Sequence, residues 1–102
     1  MANPVIEYGF YHKHMTVTGA VTEVTGILHT VTINRPSATA GAICTIYDSV
    51  DDSGTVIAII TLDKAVYVVP TTLQYDVRLT YGLYAEFSDE QNAGADLTFS
   101  YT

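Results

Sequence analysis

Leu73-Gln74-Tyr75-Asp76-Val77-Arg78-Leu79 places an apolar residue at every odd position and a polar or charged one at every even position. Successive side chains of an extended chain point to opposite faces, so this stretch predicts a β-strand with one dry and one wet face. The same period recurs toward the end. Leu97, Phe99 and Tyr101 alternate with Asp96, Thr98 and Ser100, while Leu83, Ala85 and Phe87 lie opposite Tyr84 and Glu86. Three one-sided strands therefore close the chain.

Working back toward the start, Gly26 opens a run that predicts Ile27, His29, Val31 and Ile33 on one face and Thr30, Thr32 and Asn34 on the other, ended by Arg35-Pro36-Ser37. Strands at about Ala42 to Asp48 and Thr55 to Leu62 flank Asp51-Asp52-Ser53-Gly54, a turn sequence that predicts an antiparallel hairpin. Val56-Ile57-Ala58-Ile59-Ile60 is apolar on both faces, as expected of a central strand covered on both sides or of one at a subunit contact. A short strand is expected at Val66 to Val69, before Pro70. Two more are expected at Val5 to Tyr11 and Met15 to Val24, the latter interrupted at Gly19-Ala20.

Thr, Val and Ile supply about a third of the residues, a mixture that suits pleated, half-buried surfaces, and no stretch repeats apolar residues with a helical period. About eight short strands follow, with turn signals between them. The fold class is all-β, an antiparallel β-sandwich, with jelly-roll and immunoglobulin-like wirings both open.

The 102 residues suit a single domain, residues 1–102, with residues 26–102 as the sandwich body and residues 1–25 as a segment that contacts partners. Eleven Asp and Glu against four Lys and Arg give a net charge of -7. The four cations, Lys13, Arg35, Lys64 and Arg78, are scattered, which argues against nucleic acid or an anionic membrane as partner. No secretory signal or membrane span is recognisable, so a soluble protein made in the cytoplasm is expected. Cys44 is the only cysteine, which removes intrachain disulfides and paired-cysteine zinc sites and leaves self-association as the aid to a small core.

Candidate chemistry is sparse. His12 and His14 share a strand face but lack an identifiable third metal ligand. His29, on the apolar face, reads as a partly buried histidine. Asp48, Asp51 and Asp52 gather oxygens that a hard cation takes, but their spacing is not that of an EF-hand, and a solvated turn accounts for them. Ser88 to Gly94 reads as a second acidic turn. Cys44, inside an apolar strand, reads as a buried structural thiol. No nucleophile elbow, phosphate loop, dinucleotide fingerprint or zinc-protease motif occurs, so no catalytic residue, cofactor or metal is expected and the chain does not read as an enzyme. Tyr8, Phe10 and Tyr11, followed by His12, are the candidate partner-binding residues, because aromatics supply contact area at low entropic cost.

The order Gly26-Ile-Leu-His-Thr-Val-Thr-Ile-Asn34, Ile43-Cys-Thr-Ile-Tyr-Asp48, Ser53-Gly-Thr-Val-Ile-Ala58, Leu73-Gln-Tyr-Asp-Val-Arg78, Gly82-Leu-Tyr84 and Ala95-Asp-Leu-Thr-Phe-Ser-Tyr101 resembles small β-sandwich virion proteins of tailed bacteriophages. The resemblance spans residues 26–102, and its recurrent residues Asp48, Gly54, Asp76 and Gly82 are strand and turn punctuation. Several such proteins are capsid decoration, or cement, proteins. The resemblance implies a homotrimer on the outside of a phage head that binds the major capsid protein and stabilises its lattice, with no catalytic residue to carry over. Two other roles compete with it. One is a carbohydrate- or receptor-binding module on a head fibre or tail, stacking ligand on Tyr47, Tyr67, Tyr81 or Tyr84; the other is a head-completion or tail adaptor.

Overall fold

Alternating sequence becomes alternating burial in the computed structural model, which describes residues 10–63, 70–88 and 94–102. The described residues form β1 (Tyr11–Met15), β2 (Gly19–Thr22), β3 (Gly26–Arg35), β4 (Ile43–Asp48), β5 (Thr55–Thr61), β6 (Thr71–Leu79), β7 (Leu83–Phe87) and β8 (Asp96–Tyr101), and no helix. The strands make two sheets, in the orders β1-β8-β3-β6 and β2-β7-β4-β5, with every neighbouring pair antiparallel.

First pairs with last throughout: β1 with β8, β2 with β7, β3 with β6 and β4 with β5. The chain is one antiparallel ribbon rolled on itself, which is jelly-roll wiring and not the immunoglobulin order. Only the β4–β5 hairpin stays within a sheet, and every other connection crosses between sheets. The inner faces therefore share one core. The first sheet contributes Leu28, Val31, Ile33, Leu79, Leu97 and Phe99, and the second contributes Cys44, Ile46, Ile60, Leu83, Ala85 and Phe87. Fully burying a side chain such as Leu or Phe contributes about 1.5–3 kcal/mol, which makes this shared core the main stabilising element.

A bulge corrects the expected facing of β3. Between the rungs at Leu28 and Thr30 the chain advances one residue on β8 (Tyr101 to Ser100), two on β3 and three on β6 (Val77 to Gln74). Each strand carries one residue more than the last, which bends and twists the sheet locally. Leu28 and Val31 are both buried, so His29 and Thr30 between them share the outer face. His29 is thus not on the apolar face, and Ile27 is 43% exposed where burial was expected. On β6, Asp76 adopts a left-handed conformation with φ 51°, which a short polar side chain tolerates.

β5 is likewise not central: it forms the edge of its sheet. Val56 and Ile59 are exposed there, with Ile59 at 61%. The β4–β5 ladder bulges between Ile46 and Tyr47, and a bulge on an edge disfavours uncontrolled pairing with other chains. Near the start, the break between strands falls at Thr16-Val17-Thr18 and not at Gly19-Ala20, and β1 begins at Tyr11. Most of the strand expected at Val5 to Tyr11, and all of that at Val66 to Val69, lie outside the described residues.

Candidate partner-binding surface

One end of the sandwich collects residues 23–25, the hairpin loop 49–54, the turn 80–82, the start of β1 and Thr102. Asp48 ties two of these loops together. Its carboxylate accepts the backbone N–H groups of Thr80 and Tyr81, each at 2.9 Å. Partial burial opposes its charged form, but these amides outweigh burial and hold the carboxyl below its usual value. Gly82 completes the junction: a Cβ there would stand 2.7 Å from the Thr22 carbonyl oxygen and 3.1 Å from that of Ser49, so the loops meet at backbone contact. Asp51 serves its own loop, accepting the Ser53 hydroxyl and, at 2.9 Å, the Ser53 N–H, which lowers its pKa too. These carboxylates act as turn braces.

This braced end exposes apolar side chains. Tyr11 is 69% exposed, Val24 65% and Tyr81 68%, with Ile27 and Val50 also exposed. Two adjoining shallow depressions of about 460 and 480 Å³ share Thr25 and Thr102. Val24, Tyr11 and Tyr101 wall one, and Ile27, Leu79 and Arg78 wall the other. Glu23, Asp51 and Asp52 lie in the same loops. Apolar groups rimmed by charge are the composition of a protein-binding surface. Of these residues only Tyr11 belongs to the aromatic cluster singled out from the sequence. The signal for the others is that Val24, Val50 and Tyr81 are apolar residues in turns, where strand alternation gives no reason for them.

The candidates at the chain start separate. Tyr8 lies outside the described residues. Phe10 stacks on the His29 ring, with centroids 4.2 Å apart and planes 8° from parallel. Tyr11 tilts against Tyr101 at the open end of the sandwich, 5.9 Å between centroids. His12 lies opposite Ser100 on the outer face of the first sheet. Strand alternation thus sends Tyr11 and His12 to different surfaces.

The remaining candidates also have defined surroundings. His14 bonds Asp96, whose carboxylate accepts the Asn34 amide at 3.1 Å as well. Among the described residues no three His, Cys, Asp or Glu side chains come together as a metal site. Asp76 accepts from Gln74 and pairs with His29 at 2.5 Å, and these contacts lower its pKa. Cys44 is fully buried, and burial pushes its thiol up to about 12, so it is a structural thiol. Tyr47, suggested as an exposed stacking platform, is instead buried: its hydroxyl donates to Glu86 at 3.0 Å and its ring tilts against Tyr84. Tyr81 is exposed as that role requires, and Tyr67 lies outside the described residues.

No family model matches this chain, and neither does any curated protein or solved structure.

Proposed function

We propose that the chain is a structural virion protein of the capsid-decoration type, which binds the outside of a bacteriophage head and stabilises the major capsid protein lattice. The observation that carries the proposal is the braced apolar end. Val24, Val50 and Tyr81 lie exposed on loops that meet at Asp48 and Gly82, and Tyr11 and Ile27 are exposed at the adjoining strand starts. Rigid apolar anchors with a charged rim bind a partner at low ordering cost, and repetition over a lattice multiplies weak contacts. The sequence resemblance supplies the kind of partner. Jelly-roll wiring agrees with it as an analogy of fold alone, since the same wiring serves capsid and lectin domains.

A homotrimer is part of the proposal, supported by the exposed Val56 and Ile59 edge of β5, which closed cyclic association would cover. The test is quantitative mass spectrometry of purified particles of the encoding virus. On the order of hundreds of copies per particle are expected, as a lattice of equivalent sites requires. Val24→Asp is expected to abolish attachment while leaving thermal unfolding unchanged. About a dozen copies or fewer would move the chain to a vertex, fibre or tail, and absence from the particle would end the virion reading.

A further inference from the structure

The outer face of the first sheet carries two complete rows of hydrogen-bonding side chains across all four strands. One runs His14, Thr98, Thr32, Thr72 and the other His12, Ser100, Thr30, Gln74. Neither row contains Lys, Arg, Asp or Glu, although a quarter or more of an ordinary solvated surface is charged. Strand spacing makes each row about 14 Å long.

At the β6 end of the second row the bulge in β3 turns His29 outward, beside Gln74 and Asp76, which strand alternation already places on that face. Phe10 lies flat on His29 and keeps nearly half of its surface open. Such bulges and left-handed residues re-aim side chains at the cost of local strain, and they concentrate where a side chain has a task. We propose that this face is a binding platform for a neutral, hydroxyl-rich glycan chain, with one sugar ring stacked on Phe10 and its hydroxyls bonded by Asp76, Gln74 and the Thr30–Ser100 row.

The chemistry suits that ligand class. A carboxylate offers about four lone-pair positions, and the bonds from His29 and Gln74 leave Asp76 with acceptor capacity for sugar hydroxyls. The Gln74 carbonyl accepts, and the Ser100 and Thr30 hydroxyls both donate and accept. Phe10, His29, Asp76 and Gln74 are linked to one another, so little side-chain freedom remains to be lost on binding. Charge selects a neutral glycan over a sulfated or sialylated one. The chain carries -7, Lys13 donates to the Ala20 carbonyl, Arg35 donates to that of Gly94, and Arg78, the one exposed cation on β6, lies past Asp76 where it walls the depression at the open end. This site is separate from the apolar end and holds whether or not the chain decorates a shell.

The test is titration of the full chain with cellohexaose and with maltohexaose, followed by calorimetry and by amide chemical shifts. At least one is expected to bind with a dissociation constant of about 1 mM or tighter, as an open face allows. Phe10→Ala and Gln74→Ala are each expected to weaken binding about tenfold or more with unchanged thermal unfolding, while Tyr81→Ala leaves binding intact. The platform is refuted if neither hexasaccharide shows saturable binding up to about 10 mM. It is refuted equally by binding that survives both Phe10→Ala and Gln74→Ala, or that is lost in Tyr81→Ala instead.

Discussion

Truncating Leu28 and Ile27 separately tests the bulge in β3, because the two facings of that strand rank these neighbours in opposite order. Leu28 is fully buried between the sheets, and Leu→Ala at such a site removes both transfer energy and packing, about 2–5 kcal/mol. Ile27 is 43% exposed, so Ile27→Ala loses part of its burial and opens no sealed cavity, about 1 kcal/mol. The expected gap is about 2 kcal/mol, a shift in urea midpoint of about 1–2 M between the two variants at an ordinary slope. Urea unfolding followed by circular dichroism and by tyrosine fluorescence measures it, and coincidence of the two probes justifies two-state treatment. Ile27→Ala costing as much as Leu28→Ala, or more, would refute the bulge and restore plain alternation with His29 facing inward.

The second and third predictions concern titratable groups. Asp48, Asp51 and Asp76 are all held below the ordinary carboxyl value of 3.8, so the folded state binds fewer protons than the unfolded one in that range. Their contribution is present above the unfolded value and is lost as pH falls through the lowered folded values. Stability, read as the urea midpoint, should therefore decline below about pH 4, and Asp48→Asn should lower the unfolding free energy by about 1 kcal/mol at pH 7 while making the acid decline shallower. A midpoint unchanged between pH 7 and pH 3 contradicts this. Cys44 should not react with a thiol reagent such as DTNB at pH 8 in the folded protein and should react fully in denaturant. Stoichiometric labelling of the native state would show that the sheet interface is open at that strand.

Strand chemistry was legible in the residues themselves. Leu73 to Leu79, Leu83 to Phe87 and Asp96 to Tyr101 are strands as their alternation predicts, and the turn at Asp51-Asp52-Ser53-Gly54 joins an antiparallel pair. Period-two burial is a local property, carried by side chains a few ångströms apart along one segment, so one sequence suffices to read it. The apolar end was less legible. Val24, Val50 and Tyr81 stand far apart in sequence, and only the crossing of strands between sheets carries their loops to one end.

The amino-acid sequence by itself determined that the described part of this protein is all-β, where its described strands past Gly26 run, and that Cys44 is a core residue. Tertiary structure decided what depends on neighbours from distant segments. Jelly-roll order over immunoglobulin order depends on which strand lies beside which, and alternation is blind to that. The edge position of β5 follows from the same choice, since an apolar strand looks alike whether one or two strands flank it. The outward turn of His29 depends on a rung count that rises from β8 through β3 to β6, so no single strand contains it. Tyr47 was settled by Glu86 and Tyr84 on β7, brought beside β4 by a connection through the opposite sheet. Long-range pairing sets these features because a backbone hydrogen bond or a side-chain contact across a sheet joins residues whose separation along the chain leaves no periodic trace.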